Sequence, residues 1–507
     1  MNVFSLFTSG ALAWRDRPAV RYGDRRQTYA ELHTATAAFA AHLASLGLGR
    51  GDRVALYMKN AFAYPAALLA VFRGGYVAVP VNAKLHPREA AYIVEDAGAK
   101  AMVIDADAAV EFAAAAANSA IATIISDGAD SPLEKALRPS QSAAAAPAAC
   151  EPDDPAWLFY TSGTTGRPKG ATLSHRNLIA MAVNSLADIC AFRPDDRLLH
   201  AAPLSHGSGM YLIPALSRGA ENVIDAGGGF EADRVLRFVA DERITVFPFL
   251  APTMIVRLLE ADPGIRMPSL RAIVYGGAPI HLEHLRAALH RFGPILTQLY
   301  GQGEAPMTIS YLPSWAHDVA DEEALQSAGF IRSGVEVRIL DDVGVSLPQG
   351  EVGEIAARGD VVMRGYWRND AANAASLRAG WLRTGDIGRF DAHGRLHVLD
   401  RRHDTIISGG SNIYPREVED VLTRHPAVKE AIVFGVPDVE WGESVAAAIV
   451  RREEHGDLDA ATLIAFCRNH LASFKKPKRI EFVSELPKNA YGKVLRRDLR
   501  DRFAQGR

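Results

Sequence analysis

Residues Tyr160 to Gly170, reading Tyr-Thr-Ser-Gly-Thr-Thr-Gly-Arg-Pro-Lys-Gly, concentrate the means to hold an anion. Glycines let a backbone turn its N–H groups toward negative charge. The hydroxyls of Thr161, Ser162, Thr164 and Thr165 add donors, and Lys169 adds a compact point charge. A loop of this make-up suits a phosphate. It is not the common P-loop, because Gly-x-x-x-x-Gly-Lys-Ser/Thr does not fit the spacing. A polar surface turn after a strand would have much the same composition, so the reading depends on the rest of the chain.

Other stretches carry reactive side chains. Tyr300-Gly-Gln-Gly-Glu304 follows a β-type run and offers a carboxylate, and Trp381-Leu-Arg-Thr-Gly-Asp386 offers another. Asp400-Arg401 offers a cation, and Ser408-Gly-Gly-Ser-Asn412 is a second glycine turn. Pro487-Lys-Asn-Ala-Tyr-Gly-Lys493 puts a lysine near the C-terminus. Singly, each has a structural account: a helix cap, a turn, a solvated charge, one of many surface lysines.

The scaffold that must position them is α/β. At 507 residues the chain exceeds what one hydrophobic core serves. Helix and strand patterns alternate through about residue 126: a helix from Thr28, then Arg53 to Tyr57, Ala61 to Phe72, Tyr76 to Pro80, Pro87 to Asp96 and Ala101 to Ile104. The alternation resumes after the glycine-rich loop and implies a parallel sheet covered by helices. Such sheets bind ligands beyond the carboxyl ends of their strands, where His206, Tyr275-Gly-Gly-Ala278 and Tyr300 to Glu304 fall. From about residue 334, short strands between Gly and Asp turns suggest a small β-rich subdomain. The charged stretch Asp400-Arg-Arg-His-Asp404 marks a boundary. The expected architecture is a large N-terminal domain (1–399) of layered α/β subdomains plus the β-rich one, a hinge (400–404) and a small α+β C-terminal domain (405–507).

Bulk composition narrows the function. Apolar residues make up 48% and charged ones 23%, as in ordinary globular proteins. A net charge of −3 without a long basic run argues against a nucleic-acid partner. Cys150, Cys190 and Cys467 are far apart and odd in number, so neither a disulfide framework nor a zinc site is indicated. The longest apolar stretch, Ala61 to Val81, is broken by Arg73, Gly74 and Gly75, which excludes an integral membrane segment there. A cytoplasmic location follows from these features, and a homodimer is left open.

Taken in order, the motifs resemble the adenylate-forming superfamily of acyl-CoA synthetases, adenylation domains and luciferase. The Thr-Ser-Gly-Thr-Thr-Gly-x-Pro-Lys-Gly loop is the most specific element, and the resemblance runs from about Thr28 to Arg497. It implies two half reactions. A carboxylate attacks the α-phosphate of ATP, giving an acyl-adenylate and pyrophosphate, and the thiol of coenzyme A then displaces AMP. It also implies roles. Thr161, Ser162, Gly163, Thr164, Thr165, Gly166 and Lys169 would hold the β- and γ-phosphates. Glu304, with Thr165, would bind Mg²⁺, a hard cation that prefers oxygen ligands. Asp386 would accept the ribose hydroxyls beside Arg401. Gly276, Gly277, Ala278 and Pro279 would form a close-approach wall. Tyr300 would stack on the base, with Gly301 and Gln302 next to it. Lys493 would stabilise charge that develops in the transition state. No general base is needed, because a carboxylate is ionised at pH 7.

The same resemblance implies a mobile C-terminal domain that rotates about His403 between the halves. Rotation would bring Ser408, Gly409 and Gly410 along the pantetheine path. Trp441, Phe474, Lys476 and Arg88 resemble coenzyme A nucleotide contacts of some aryl-CoA ligases, although Trp441 and Phe474 would serve equally as core residues. Gly303 stands where Thr is usual, which removes a donor to a phosphate oxygen. His403 replaces a usual Asp or Lys, Tyr491 a usual Thr, and Ser205 a usual Phe.

The implied acyl pocket comprises Ser205, His206, Gly207, Ser208, Met210, Phe249, Pro252 and Gly276. None is Arg or Lys, and a second carboxylate on the substrate would want one. A monocarboxylic acid is therefore expected, with a fatty acid favoured. His206 counts with Lys493 and Glu304 among the catalytic candidates, as a residue that gates or lines the pocket rather than an acid–base group. The alternatives are an aryl-CoA ligase, a stand-alone adenylation enzyme that loads a carrier protein, and, from Gly303, a catalytically silent nucleotide-binding regulator.

Overall fold

The computed structural model describes residues 1–507 except 116–120, 122, 139–145, 162–166, 262–263, 453–457, 489–493 and 505–507. Two large sheets, of 9 and 7 strands, form its main body. In the first, Glu221–Ile224, Arg197–His200, Val246–Leu250, Ala272–Gly276 and Leu296–Gln302 run parallel as neighbours. Val246–Leu250 is buried on both faces and reads as the continuous apolar run Val-Phe-Pro-Phe-Leu. In the second, Val77–Asn82, Arg53–Met58, Ala101–Ile104 and Thr123–Ser126 are parallel, and Pro155–Thr161 joins beside Ala78.

The expectation of parallel sheets needs correction at their edges. Leu296–Gln302 turns back antiparallel into Ala305–Leu312, and Pro155–Thr161 turns back into Lys169–Ser174. The glycine-rich stretch therefore begins at the end of one strand of a hairpin and finishes, at Lys169, on the other. Ser174 ends that hairpin and caps the helix His175–Asp188, with Asn177 completing a reciprocal box. Thr28 and Glu31 do the same for the helix Tyr29–Ser45. Trp157, on the hairpin strand, is fully buried against Phe72. Burial of such side chains stabilises the sheet by about 1.5–3 kcal/mol each.

A 5-stranded sheet follows, in which Trp381–Phe390 pairs with both Gly353–Gly359 and Leu396–Arg401. A second 5-stranded sheet, with Gly442–Arg451 at its centre and Val428–Asp438 along its edge, has its own core around Ile413, Val418, Val433 and Leu463. It meets the main body where His281 Nδ1 lies 3.0 Å from Asp420 and Arg424 lies 2.7 Å from Glu322. Among the described residues, no helix is long and apolar enough to cross a membrane.

Candidate active site

A cavity of about 1300 Å³ opens at the carboxyl ends of the parallel strands, with His200, Phe249, Gly276 and Gly301 on its wall. Open α/β sheets place ligands at this edge. Glu304 sits in the tight turn between Leu296–Gln302 and Ala305–Leu312 and is 8% exposed. Its Oε1 accepts the Tyr366 hydroxyl at 2.6 Å. Tyr366 lies on the short strand Gly365–Tyr366, which pairs with Ala171 and Thr172 just beyond Lys169. Lys169 Nζ is 5.5 Å from the centre of the Tyr366 ring. Lys169, Tyr366 and Glu304 thus form one continuous wall. Burial, and then the Glu304 charge, raise the Tyr366 pKa far above its ordinary value, so the hydroxyl stays a donor. A buried carboxylate whose one side-chain donor among the described residues is neutral fits a hard divalent cation. Thr165, the other expected ligand, lies outside the described residues.

Asp386 is 3% exposed and receives three donors: Tyr300 Oη at 2.6 Å, Gln302 Nε2 at 2.6 Å and Arg401 Nε at 2.8 Å. The last contact follows from register, because Asp386 and Arg401 are direct partners across their two strands. Burial and Asp386 together hold the Tyr300 pKa well above the usual range. Gln302, Thr384, Gly385 and Arg401 line the cavity, whereas Tyr300 and Asp386 stand one layer behind them.

Gly303 is explained by close packing. A Cβ there would lie 2.4 Å from Thr161 Cγ2 and 2.7 Å from the Phe159 ring. The side chains of the hairpin strand occupy the space that a threonine at 303 would need.

Ser205, His206, Gly207, Met210, Phe249, Pro252, Gly276, Gly277 and Ala278 all line the cavity, but Pro279 does not. Ser208 is a correction. It is fully buried with its Oγ 2.8 Å from His200 Nδ1, and His200 Nε2 lies 2.9 Å from Asn222, so Ser208 belongs to a polar network behind the wall. Beyond the eight residues expected for the acyl pocket, Lys59, Lys84 and Arg257 also reach the cavity. Leu299 and Met307 line it too and were not anticipated. Met307 Sδ lies 3.1 Å from where a Cβ on Gly207 would be, so Gly207 makes room for it. The only signal in the sequence was their nearness to Glu304. His206 packs on Phe159 with ring centres 4.8 Å apart, and burial lowers its pKa to about 4, leaving the ring neutral at pH 7.

Other expected residues are not brought to the cavity in this conformation. Ser408, Gly409, Gly410, Trp441, Phe474, Lys476 and Arg88 are absent from its wall. Trp441 packs over Gly409, where a Cβ would be 2.5 Å from the ring. Trp441 is 44% and Phe474 51% exposed, so neither is a core residue. His403 and Lys488 do line the cavity. Lys488 forms an isolated β-bridge with Val494, and these two flank 489–493. Lys493 and Tyr491 lie outside the described residues, as do Ser162, Gly163, Thr164, Thr165 and Gly166.

Comparison with known proteins agrees with this layout. A family model described as AMP-binding enzyme matches residues 7–367, and one described as AMP-binding enzyme C-terminal domain matches 417–493. The chain is 38% identical to a feruloyl-CoA synthase of Amycolatopsis sp, over 96% of both chains. It is 34% identical to medium/long-chain-fatty-acid–CoA ligase FadD8 of Mycobacterium tuberculosis, over 97% of this chain and 88% of that one. The structure of amide bond synthetase McbA from Marinactinospora thermotolerans superposes with a TM-score of 0.91 at 33% identity, covering 99% of each chain. The chain belongs to the AMP-binding enzyme family.

Proposed function

We propose that this enzyme is an ATP-dependent acid–thiol ligase. It adenylates a monocarboxylic acid and transfers the acyl group to coenzyme A, releasing pyrophosphate and AMP. The observation that carries the reading is the convergence of Lys169, Glu304 and Arg401, the last backed by Asp386 from behind, on one cavity that also has an apolar wall.

In the first half reaction an ionised carboxylate oxygen forms a bond to the α-phosphorus as the bond to the pyrophosphate oxygen breaks. Thr161 and Lys169 hold the leaving phosphates, and Asp386 with Arg401 fixes the nucleoside. Glu304 would hold Mg²⁺, which when bound neutralises phosphate charge. Lys493 stabilises the charge that develops at the α-phosphate. In the second half the thiol sulfur bonds to the acyl carbon as that carbon's bond to the phosphate oxygen breaks, so AMP leaves and the thiol proton passes to solvent. The hinge at 400–404 is the place where the C-terminal domain would turn between the halves. Rotation would carry the exposed Trp441 and Phe474, and the turn Ser408 to Gly410, toward the cavity.

Met210, Phe249, Leu299 and Met307 support a fatty-acyl substrate. The aryl reading is favoured by the adjoining rings of Phe159 and His206, tilted at 45° to one another, and by the feruloyl-CoA synthase among the relatives. ATP–pyrophosphate exchange over a panel of alkanoic and arylpropenoic acids decides between them. No exchange with any acid would overturn the ligase reading in favour of a silent nucleotide-binding protein. Exchange without thioester formation from coenzyme A would assign a carrier-protein acceptor.

A further inference from the structure

A second cavity, of about 400 Å³, lies at the opposite ends of the strands that wall the first. Arg197 opens the strand Arg197–His200, while Thr245 and Arg271 immediately precede Val246–Leu250 and Ala272–Gly276. All three line the second cavity, whereas His200, Phe249 and Gly276, near the far ends of the same strands, line the first. At about 3.3 Å per residue, the two walls stand about 10–17 Å apart along the sheet.

The second cavity is rich in arginine, and its frame is rigid. Asp196 is 2% exposed and accepts from Arg193 N at 2.7 Å, Thr245 Oγ1 at 2.9 Å and Arg271 Nε at 2.8 Å. Arg197 is fixed by Glu221 at 2.8 Å and by Glu242 at 3.2 Å. Arg193 and Arg243 also line the cavity, and neither guanidinium has an acidic partner among the described residues. Asp195 is the wall's remaining carboxylate, and it too lacks a cationic partner among the described residues.

Arg243 is placed by the end of a helix. It follows Glu242, the residue that ends the helix Ala232–Asp241. Its backbone has φ +51°, the left-handed turn with which helices commonly close, and Arg243 N donates to Ala240 O at 3.2 Å while Ile244 N donates to Val239 O at 3.0 Å. Glycine is the usual residue there, so the arginine sits at this turn at some cost, on the wall of the cavity.

We propose that this cavity is a binding site for a phosphate-bearing anion, held between the guanidinium groups of Arg193 and Arg243 with the Ser269 hydroxyl as a further donor. The planar fork of arginine matches phosphate oxygens in pairs. Asp195 opposes the anion and keeps its binding reversible. Two sources share this chemistry, a soluble phosphate compound and a phospholipid headgroup.

The test uses the full-length protein and the variants Arg193→Gln/Arg243→Gln, Arg243→Gly and Asp195→Asn. Inorganic phosphate is titrated at constant ionic strength, with chloride as the control, and followed by calorimetry and melting temperature. Sedimentation with phosphatidylglycerol vesicles, against phosphatidylcholine vesicles, forms the second arm. The double variant is expected to lose about tenfold or more in affinity while its ATP–pyrophosphate exchange stays unchanged. Arg243→Gly is expected to melt higher, because strain is relieved, yet to bind more weakly. Asp195→Asn is expected to bind several-fold more tightly. Phosphate binding without vesicle retention assigns a soluble ligand, and retention lost in the double variant assigns a headgroup. Equal binding by the native protein and the double variant in both arms overturns the proposal.

Discussion

Tyr366 donates its hydroxyl to Glu304 Oε1 at 2.6 Å across 62 residues of chain. The bond fixes the carboxylate proposed to meet Mg²⁺. A hydrogen bond to a charged group contributes about 1.5–3 kcal/mol, so Tyr366→Phe should slow ATP–pyrophosphate exchange about tenfold to a hundredfold. The half-saturating Mg²⁺ concentration should rise while the melting temperature moves little. Unchanged exchange and unchanged Mg²⁺ dependence would remove Tyr366 from the site.

Restoring the usual threonine at position 303 should harm this protein. Gly303→Thr must displace Thr161 and Phe159, and forced packing of this kind costs about 1–3 kcal/mol. Both the melting temperature and the exchange rate should fall. Faster exchange would mean that the missing hydroxyl, not the packing, governs the position.

Lys493→Ala should separate the two half reactions. Exchange should be abolished, while thioester formation from a supplied acyl-adenylate and coenzyme A should stay within a few-fold of native. Equal loss of both halves would contradict rotation about 400–404.

Stability should fall on mild acidification. Burial lowers the pKa of His175, His200, His206, His284 and His317 to about 4 each. Their ordinary value is about 6.5, so between these limits the unfolded chain binds more protons than the folded one. Their stabilisation is whole above the upper limit and is lost as the pH drops toward 4. Asp105, raised by burial to about 6, works in the opposite direction below that value but is one group against five. The melting temperature should therefore decline from pH 7.5 to pH 5. A flat profile would show that these rings are not held neutral.

Much of the scaffold was legible because local rules and tertiary packing agree. The span Ala101–Ile104 is as the residue pattern indicates, the strand expected over Arg53 to Tyr57 runs Arg53–Met58, and the cap at Thr28 is complete with Glu31. Hidden features depend on contacts between distant segments. Nothing local marks Tyr366 as the partner of Glu304, because a two-residue strand has no periodicity. Ser208 lies in a stretch whose other members face the cavity, and only its bond to His200 turns it away. Gly303 suggested a lost donor, and the approach of Thr161 that explains it comes from a strand more than a hundred residues earlier.

Asp386 already accepts from Tyr300, Gln302 and Arg401. Under the ribose role proposed for it, the carboxylate keeps these three donors whether or not a sugar hydroxyl arrives. Sites reject an analogue sharply when a missing hydroxyl strands a buried polar group without a mate. Here the resident donors would close over the gap, so sugar selectivity at this carboxylate should be shallow, and 2′-deoxy and 3′-deoxy ATP should remain serviceable substrates.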